Sequence, residues 1–194
     1  MKTTTFNEIL RSNHMYTFKL VDAARILDKQ LKYASLFLSR NKQVKKALRG
    51  RYYTQDATEY EVASSILNPS YISLVSALRF YNLTEQMPHI IYVISFKRHR
   101  PIENLNGYRV EFVTLKKQMF YGYVKVDGAI VARPEKAIID MLYINRFTEY
   151  AYETIEGGNL NIRLLVKYAT MSKNKKIIHL IKTIISKKQK EALI

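Results

Sequence analysis

Few residues in this chain carry acid–base or metal chemistry, and they do not gather. The four histidines (His14, His89, His99, His179) are scattered, and none stands at metal-ligand spacing from another. There is no cysteine, which excludes disulfides, zinc ribbons and thiol catalysis. Glu135 and Asp140 share one helical segment but are five apart, so they do not fall on one face. Glu111 with Lys116 or Lys117 faintly resembles the acid–lysine pairing of metal-dependent nucleases, yet no partner Asp stands at a convincing spacing. Neither a P-loop nor a GxSxG elbow is present. Nothing here argues for an enzyme, and no metal or cofactor is implied.

The chemistry that does concentrate is cationic. The 194 residues carry a formal net charge of +16, unevenly spread. Residues 1–54 hold 12 Lys and Arg against 3 Asp and Glu; residues 55–150 hold 11 against 10; residues 151–194 hold 9 against 3. Clustered cations release counterions when they neutralise phosphates, so the charged ends point to an anionic polymer or surface. Between Met15 and Thr54, MYTFKLVDAARILDKQLKYASLFLSRNKQVKKALRGRYYT reads as two short helices at a turn and a basic hairpin with an aromatic exit. That is the outline of a winged helix-turn-helix, in which one helix reads the major groove and the hairpin grips the backbone. Backbone contacts then fall to Lys42, Lys45, Lys46, Arg49 and Arg51, and Lys29 belongs to the same DNA-binding set. Base-edge contacts fall to Lys32, Tyr33, Ser35, Ser39 and Arg40. The bland alternative is a solvated charged face; the upstream spacing and the closing Gly-Arg-Tyr-Tyr weigh against it.

These residues need elements to hold them. Thr5 is expected to cap a helix over 6–12, and Thr17 a second, with Leu20, Ala23, Ala24 and Leu27 at helical spacing. Residues 28–32 make the turn. A third helix over 32–40 sets Leu31, Ser35 and Leu38 on one side, with Leu36 nearby, and Lys32, Tyr33, Ser39 and Arg40 on the other. Asn41 stands where a left-handed residue would stop that helix, and Gly50 turns the hairpin. Residues 55–68 form a helical connector into Pro69. PSYISLVSALRFYNL then predicts a helix capped by Ser70 or Ser73, HIIYVISF a strand, RHRPIENLNG a loop and YRVEFVTL a half-buried strand. MFYGYVKVDGAIVA predicts a hairpin turning at Asp127-Gly128, and RPEKAIIDMLYINRF a helix with Pro near its start. Beyond a loop at Gly157-Gly158-Asn159 come helices over 162–170 and 175–188. Lys173, Lys175, Lys176, Lys182, Lys187, Lys188 and Lys190 extend a nucleic-acid footprint or form the outer face of an amphipathic terminal helix, the blander reading. The first residues lack a signal peptide's apolar run and no stretch is long enough to span a bilayer, so cytoplasmic residence and no membrane partner are expected.

With these segments placed, the whole chain resembles the AbiEi-like antitoxin and transcriptional-regulator family of type IV toxin–antitoxin systems. The likeness begins with TFKLVDAARIL and the wing ending RGRYY, and is most specific at PSYISLVSAL (Pro69 to Leu78) and ARPEKAIIDMLY (Ala132 to Tyr143). It implies an α+β protein with a winged helix-turn-helix DNA-binding domain over 1–54, a helical connector over 55–68, and an α/β antitoxin-type domain over 69–194 with a helical C-terminal tail. It further implies a repressor that binds double-stranded DNA at its own promoter and neutralises a nucleotidyltransferase-like toxin encoded nearby. Pro69, Ser70, Tyr71, Ser73, Ser76, Pro134, Glu135, Lys136 and Asp140 match the family's C-terminal motifs, as structural residues or a partner surface. One departure follows the third helix, where the family often has Lys-Lys-Gly and this chain has Arg40-Asn41-Lys42. The rivals are a stand-alone winged-helix regulator without a toxin, an RNA-binding module using the same basic ends, and a nuclease with an appended winged helix built on Glu111.

Overall fold

Phe6 and Leu10, one helical turn apart, are both fully buried, and a small core forms around them from Phe18, Ala23, Ala24, Leu27, Ala34, Leu38, Val44 and Tyr52. The computed structural model, which describes residues 2–84, 89–157 and 160–191, builds that core from α1 (Thr3–Ser12), β1 (Thr17–Lys19), α2 (Leu20–Leu27), α3 (Leu31–Arg40), β2 (Val44–Leu48) and β3 (Arg51–Thr54). The strands form an antiparallel sheet in the order β1-β3-β2. The β2–β3 turn needs Gly50, whose φ of +76° suits a residue without a Cβ.

Several local expectations are corrected here. Thr5 lies inside α1, which starts at Thr3 after Lys2. Thr17 opens a strand rather than capping α2; the start of α2 is fixed instead by Asp22, whose Oδ2 accepts the Lys19 N–H at 2.9 Å. Asn41 is extended (φ −83°), not left-handed. It is buried, and its side-chain Nδ2 donates to Asn7 Oδ1 at 2.7 Å, so an inward amide pair ends the helix where a backbone reversal was expected. The buried stripe of α3 is Ala34, Phe37 and Leu38, at i, i+3 and i+4, with Phe37 5.2 Å from the Phe6 ring. Leu31, set by its spacing on one side with Leu38, and the nearby Leu36 are about half exposed, whereas Leu38 is buried.

Adjacent residues of β3 point to opposite sides, as a strand requires. Tyr52 enters the small core, and Tyr53 enters a larger one. That second core belongs to α4 (Glu59–Ser65), β4 (Ser70–Ile72), α5 (Leu74–Phe80), β5 (Ile90–Ser95), β6 (Ile102–Leu105), β7 (Tyr108–Thr114), β8 (Tyr123–Val126), β9 (Ala129–Ala132), α6 (Pro134–Ile144), α7 (Thr148–Glu156), α8 (Ile162–Met171) and α9 (Lys175–Glu191). Its six strands are ordered β6-β7-β5-β4-β9-β8, with β5/β7 and β4/β9 parallel and the other neighbours antiparallel. The chain is thus mixed α+β.

The expected helix over PSYISLVSALRFYNL is divided: Ser70–Ile72 is a sheet strand, and α5 begins only at Leu74. All three β4 residues are buried, so no in–out alternation marked them as a strand. Part of the expected RHRPIENLNG loop is the edge strand β6, and α7 is a helix not foreseen between Phe147 and Gly157. The connector is helical only over α4, where Thr58 Oγ1 accepts the Glu61 N–H at 3.2 Å. The Asp127-Gly128 turn stands as expected between β8 and β9. A Cβ on Gly128 would meet the buried Glu61 carboxyl at 2.7 Å, so the turn sits directly over α4. Gly158 and Asn159 of the expected loop, and the Lys190 side chain, lie outside the described residues.

Candidate nucleic-acid interface and a buried charge cluster

Helix α3 buries one narrow stripe and leaves the rest of its circumference in water. Gln30, Lys32, Tyr33, Ser35, Leu36 and Ser39 line a shallow depression along that free face. A second depression, lined by Ser35, Leu38, Ser39, Val44, Lys46 and Tyr52, continues it onto the hairpin. Lys29, Lys32, Tyr33, Ser35, Ser39, Arg40, Lys42, Lys45, Lys46 and Arg49 are all exposed, and Arg51 is half-buried. Among the described residues none of these cations forms an ion pair; the one pair on this part of the chain is Arg11–Asp56 at 3.0 Å, which joins the end of α1 to the residues after β3. Lys45 Nζ donates instead to Asn106 Oδ1 at 3.3 Å, in the turn between β6 and β7. The Ser39 hydroxyl donates to the Leu36 carbonyl at 2.8 Å, which leaves its oxygen free only to accept. Residue types alone hid two members of this surface, Gln30 and Leu36, which line the first depression. Leu31, also half exposed, lies instead with Gln30 and Lys29 beside the α2–α3 turn.

Four of the nine motif residues of the second half, Tyr71, Ser73, Lys136 and Asp140, are brought together by the fold. Lys136 and Asp140, four apart on α6, form an ion pair with both side chains fully buried. The other carboxylate oxygen of Asp140 accepts from Ser73 Oγ at 2.8 Å and from the Tyr71 hydroxyl at 3.1 Å. The Lys136 ammonium lies 4.6 Å from the Tyr121 ring centroid and 5.5 Å from that of Tyr71. Ser73 does occupy the N-cap position of α5, but its hydroxyl is committed to Asp140 rather than to the helix. Burial pulls the Lys136 ammonium below its ordinary value and pushes the Asp140 carboxyl up, each opposed by the partner charge. Burial, then the neighbouring Asp140, raises the Tyr71 and Tyr121 phenols. Gly122 is required beside this cluster, since a Cβ there would meet the Tyr168 ring at 2.9 Å.

The remaining motif residues tie elements together. Ser76 Oγ accepts the Tyr92 N–H at 3.0 Å, and Ser70 Oγ is 2.8 Å from the Ser64 carbonyl. Glu135 Oε1 accepts the Asn161 N–H at 2.8 Å, and Asn161 in turn caps α8 through Leu164. Pro69 and Pro134 are partly exposed, Pro134 opening α6 and Pro69 preceding β4. Ser70, Tyr71, Ser73, Ser76, Glu135, Lys136 and Asp140 are buried, so these seven side chains offer a docking partner no surface. The cluster contains acid, base and hydroxyl groups, and the Tyr71, Ser73, Lys136 and Asp140 side chains are all buried.

The nuclease-like pairing does not assemble. Glu111 is held by Arg109 at 3.2 Å and Arg146 at 3.9 Å, while the Lys117 ammonium lies 5.4 Å from the Phe96 ring. Among the described residues no group of three His, Asp or Glu could hold a metal ion. In α9, Ile177 and Ile181 are buried, and Lys175, Lys176, Lys182 and Lys187 are exposed, as is Lys173 before it. Lys188 is otherwise employed: its Nζ donates to the carbonyls of Ile155 and Glu156 at 2.7 and 2.8 Å, capping α7. No helix among the described residues is long and apolar enough to cross a membrane. No family model matches the chain, and no curated protein matches it.

Proposed function

We propose that residues 1–54 are a winged helix-turn-helix that binds duplex DNA, with α3 as the reading helix and β2–β3 as the wing. The observation that carries this reading is the exposed face of α3, continued by the hairpin and bearing cations that form no ion pair among the described residues. Lys42, Lys45, Lys46 and Arg49 then take phosphates, and Lys32, Ser35 and Arg40 approach base edges. Tyr33 and Leu36, apolar and exposed at 48% and 51%, suit the methyl groups of thymine. The N-terminal element order and the unpaired charges support DNA binding. The further role, repression of its own operon as the antitoxin of a type IV pair, rests on the resemblance at PSYISLVSAL and ARPEKAIIDMLY.

The test is affinity for the DNA upstream of its own gene against random duplex, measured across salt concentrations. A specific regulator binds its own region on the order of 10³-fold or more tightly at physiological salt. Equal affinities at every salt concentration would refute the regulator. Co-expression with an adjacent nucleotidyltransferase-like gene tests the antitoxin role separately: the chain should restore growth, and growth arrest in its presence refutes that role.

A further inference from the structure

The segment from 55 to 150 carries almost no net charge, yet the sheet concentrates part of its positive charge at one end. Strands β5 and β7 run parallel and in register, Ser95 opposite Thr114, so the chain leaves both at the same edge. The Leu115 N–H donates to the Ser95 carbonyl at 3.0 Å and holds the two exits together. One exit carries Lys97, Arg98 and Arg100, the other Lys116 and Lys117; all five are exposed. Neither 96–101 nor 114–120 contains an acidic residue. Lys97 and Lys117 share the Phe96 ring at 6.0 and 5.4 Å, and His99 packs on Phe112 at 4.8 Å, which binds one exit to the other. The acid nearest in sequence, Glu103, is taken by Arg109 at 2.9 Å, and among the described residues none of the five cations is in an ion pair.

Strand β7 also relates this patch to the wing. Lys45 of the wing touches Asn106 at the entrance of β7, and the patch lies at its exit. The seven residues of β7 make six steps of about 3.3 Å, so its two ends stand roughly 20 Å apart, or about six base pairs of B-DNA. We infer that the β5–β7 exit is a second phosphate-backbone site, which grips the same duplex beyond the wing. It rests on the DNA-binding reading above and adds a contact from the second half of the molecule. The contact is sequence-independent: it consists of cations on flexible stems, and its two aromatic rings are already occupied by Lys97, Lys117 and His99.

The experiment compares a short duplex of about 12 bp with one of about 30 bp sharing the same centre, since the second site lies some six base pairs past the first. The full chain should bind the long duplex more tightly. The variant Arg98→Ala/Arg100→Ala/Lys116→Ala/Lys117→Ala should bind the short duplex unchanged and lose about tenfold on the long one, with a salt slope smaller by about two to four. Arg98→Lys/Arg100→Lys in the otherwise unchanged chain, which keeps the charge, should hold the long-duplex affinity of the parent. An equal loss on both lengths, no loss on either, or a loss seen only with single-stranded RNA would overturn the second site. Lys45→Ala/Lys46→Ala/Arg49→Ala should weaken both lengths; if it weakens neither, the DNA-binding reading itself has failed, and the two failures are told apart.

Discussion

Lysine is used in opposite ways in the two halves of this molecule. On and beside α3 and the hairpin, Lys29, Lys32, Lys42 and Lys46 are exposed and, among the described residues, form no ion pair. In α6, Lys136 has no exposed surface and is held by Asp140 and two tyrosine rings. An exposed unpaired cation costs the fold almost nothing and stays available to an external anion. A buried one costs several kcal/mol unless it is paired, so it is tolerated only where the surroundings are built around it. The same residue type therefore indicates a partner in one place and an organised interior in the other.

The largest effect should come from breaking the interior pair. Asp140→Ala leaves Lys136 buried and alone, and is expected to cost about 3–5 kcal/mol, read as a fall in the denaturant midpoint. Lys136→Met/Asp140→Leu should cost clearly less than either single change, because no orphaned charge remains. If Asp140→Ala is no worse than Lys46→Ala, the contrast between the halves is wrong. The cluster also gives stability a slope in alkali. Tyr71 and Tyr121 hold their protons to higher pH when folded, so the unfolded chain binds fewer protons there. The contribution of these two phenols to stability should consequently fall as pH climbs through the ordinary phenol range near 10, with the lowered Lys136 ammonium acting in the opposite sense, and Tyr121→Phe should lessen the tyrosine part in pH-dependent unfolding curves.

The exposed side should respond in binding rather than stability. Lys45→Ala/Lys46→Ala/Arg49→Ala is expected to lower DNA affinity about 100-fold and the salt slope by about three. Its unfolding free energy should move by less than about 0.5 kcal/mol per site. Smallest is Leu36→Ala, expected to cost about 1 kcal/mol of binding, with a similar loss when thymines of the bound duplex become uracils. The two losses should not add. Additive losses in a double cycle would mean that Leu36 meets something other than a methyl group.

How much of this could be read in advance depended on whether local chemistry or distant packing decided each element. The order helix, helix, basic hairpin was visible between Thr17 and Thr54 because periodicity and turn residues are local signals. Strand β1 was too short to show, so Thr17 passed for a cap. Asn41 was assigned by the usual habit of helix ends, and only its contact with Asn7, thirty-four positions away, explains its extended form. The exposure of Leu31 and Leu36 was not legible, because hydrophobicity says nothing of which apolar side a small core has room to cover. In the second half, Tyr71, Ser73, Lys136 and Asp140 stood out as motif residues, but their convergence needed the fold. Contacts 67 and 69 positions apart leave no periodic trace.

Strand β4 has a consequence for how the chain comes together in time. It is three residues long, lies third from one end of six strands, and pairs on one side with β5 and on the other with β9 near Val131. The small core closes with Tyr52, so everything it needs has left the ribosome before the central sheet has even its first strand. The sheet, in contrast, cannot cover β4 until some sixty further residues are made, and pairings at such separation are slow to find one another. A nascent chain that stops short of β9 therefore carries a finished first half and an open strand edge behind it. The stage at which the molecule is most exposed to mispairing is built into the order of its strands.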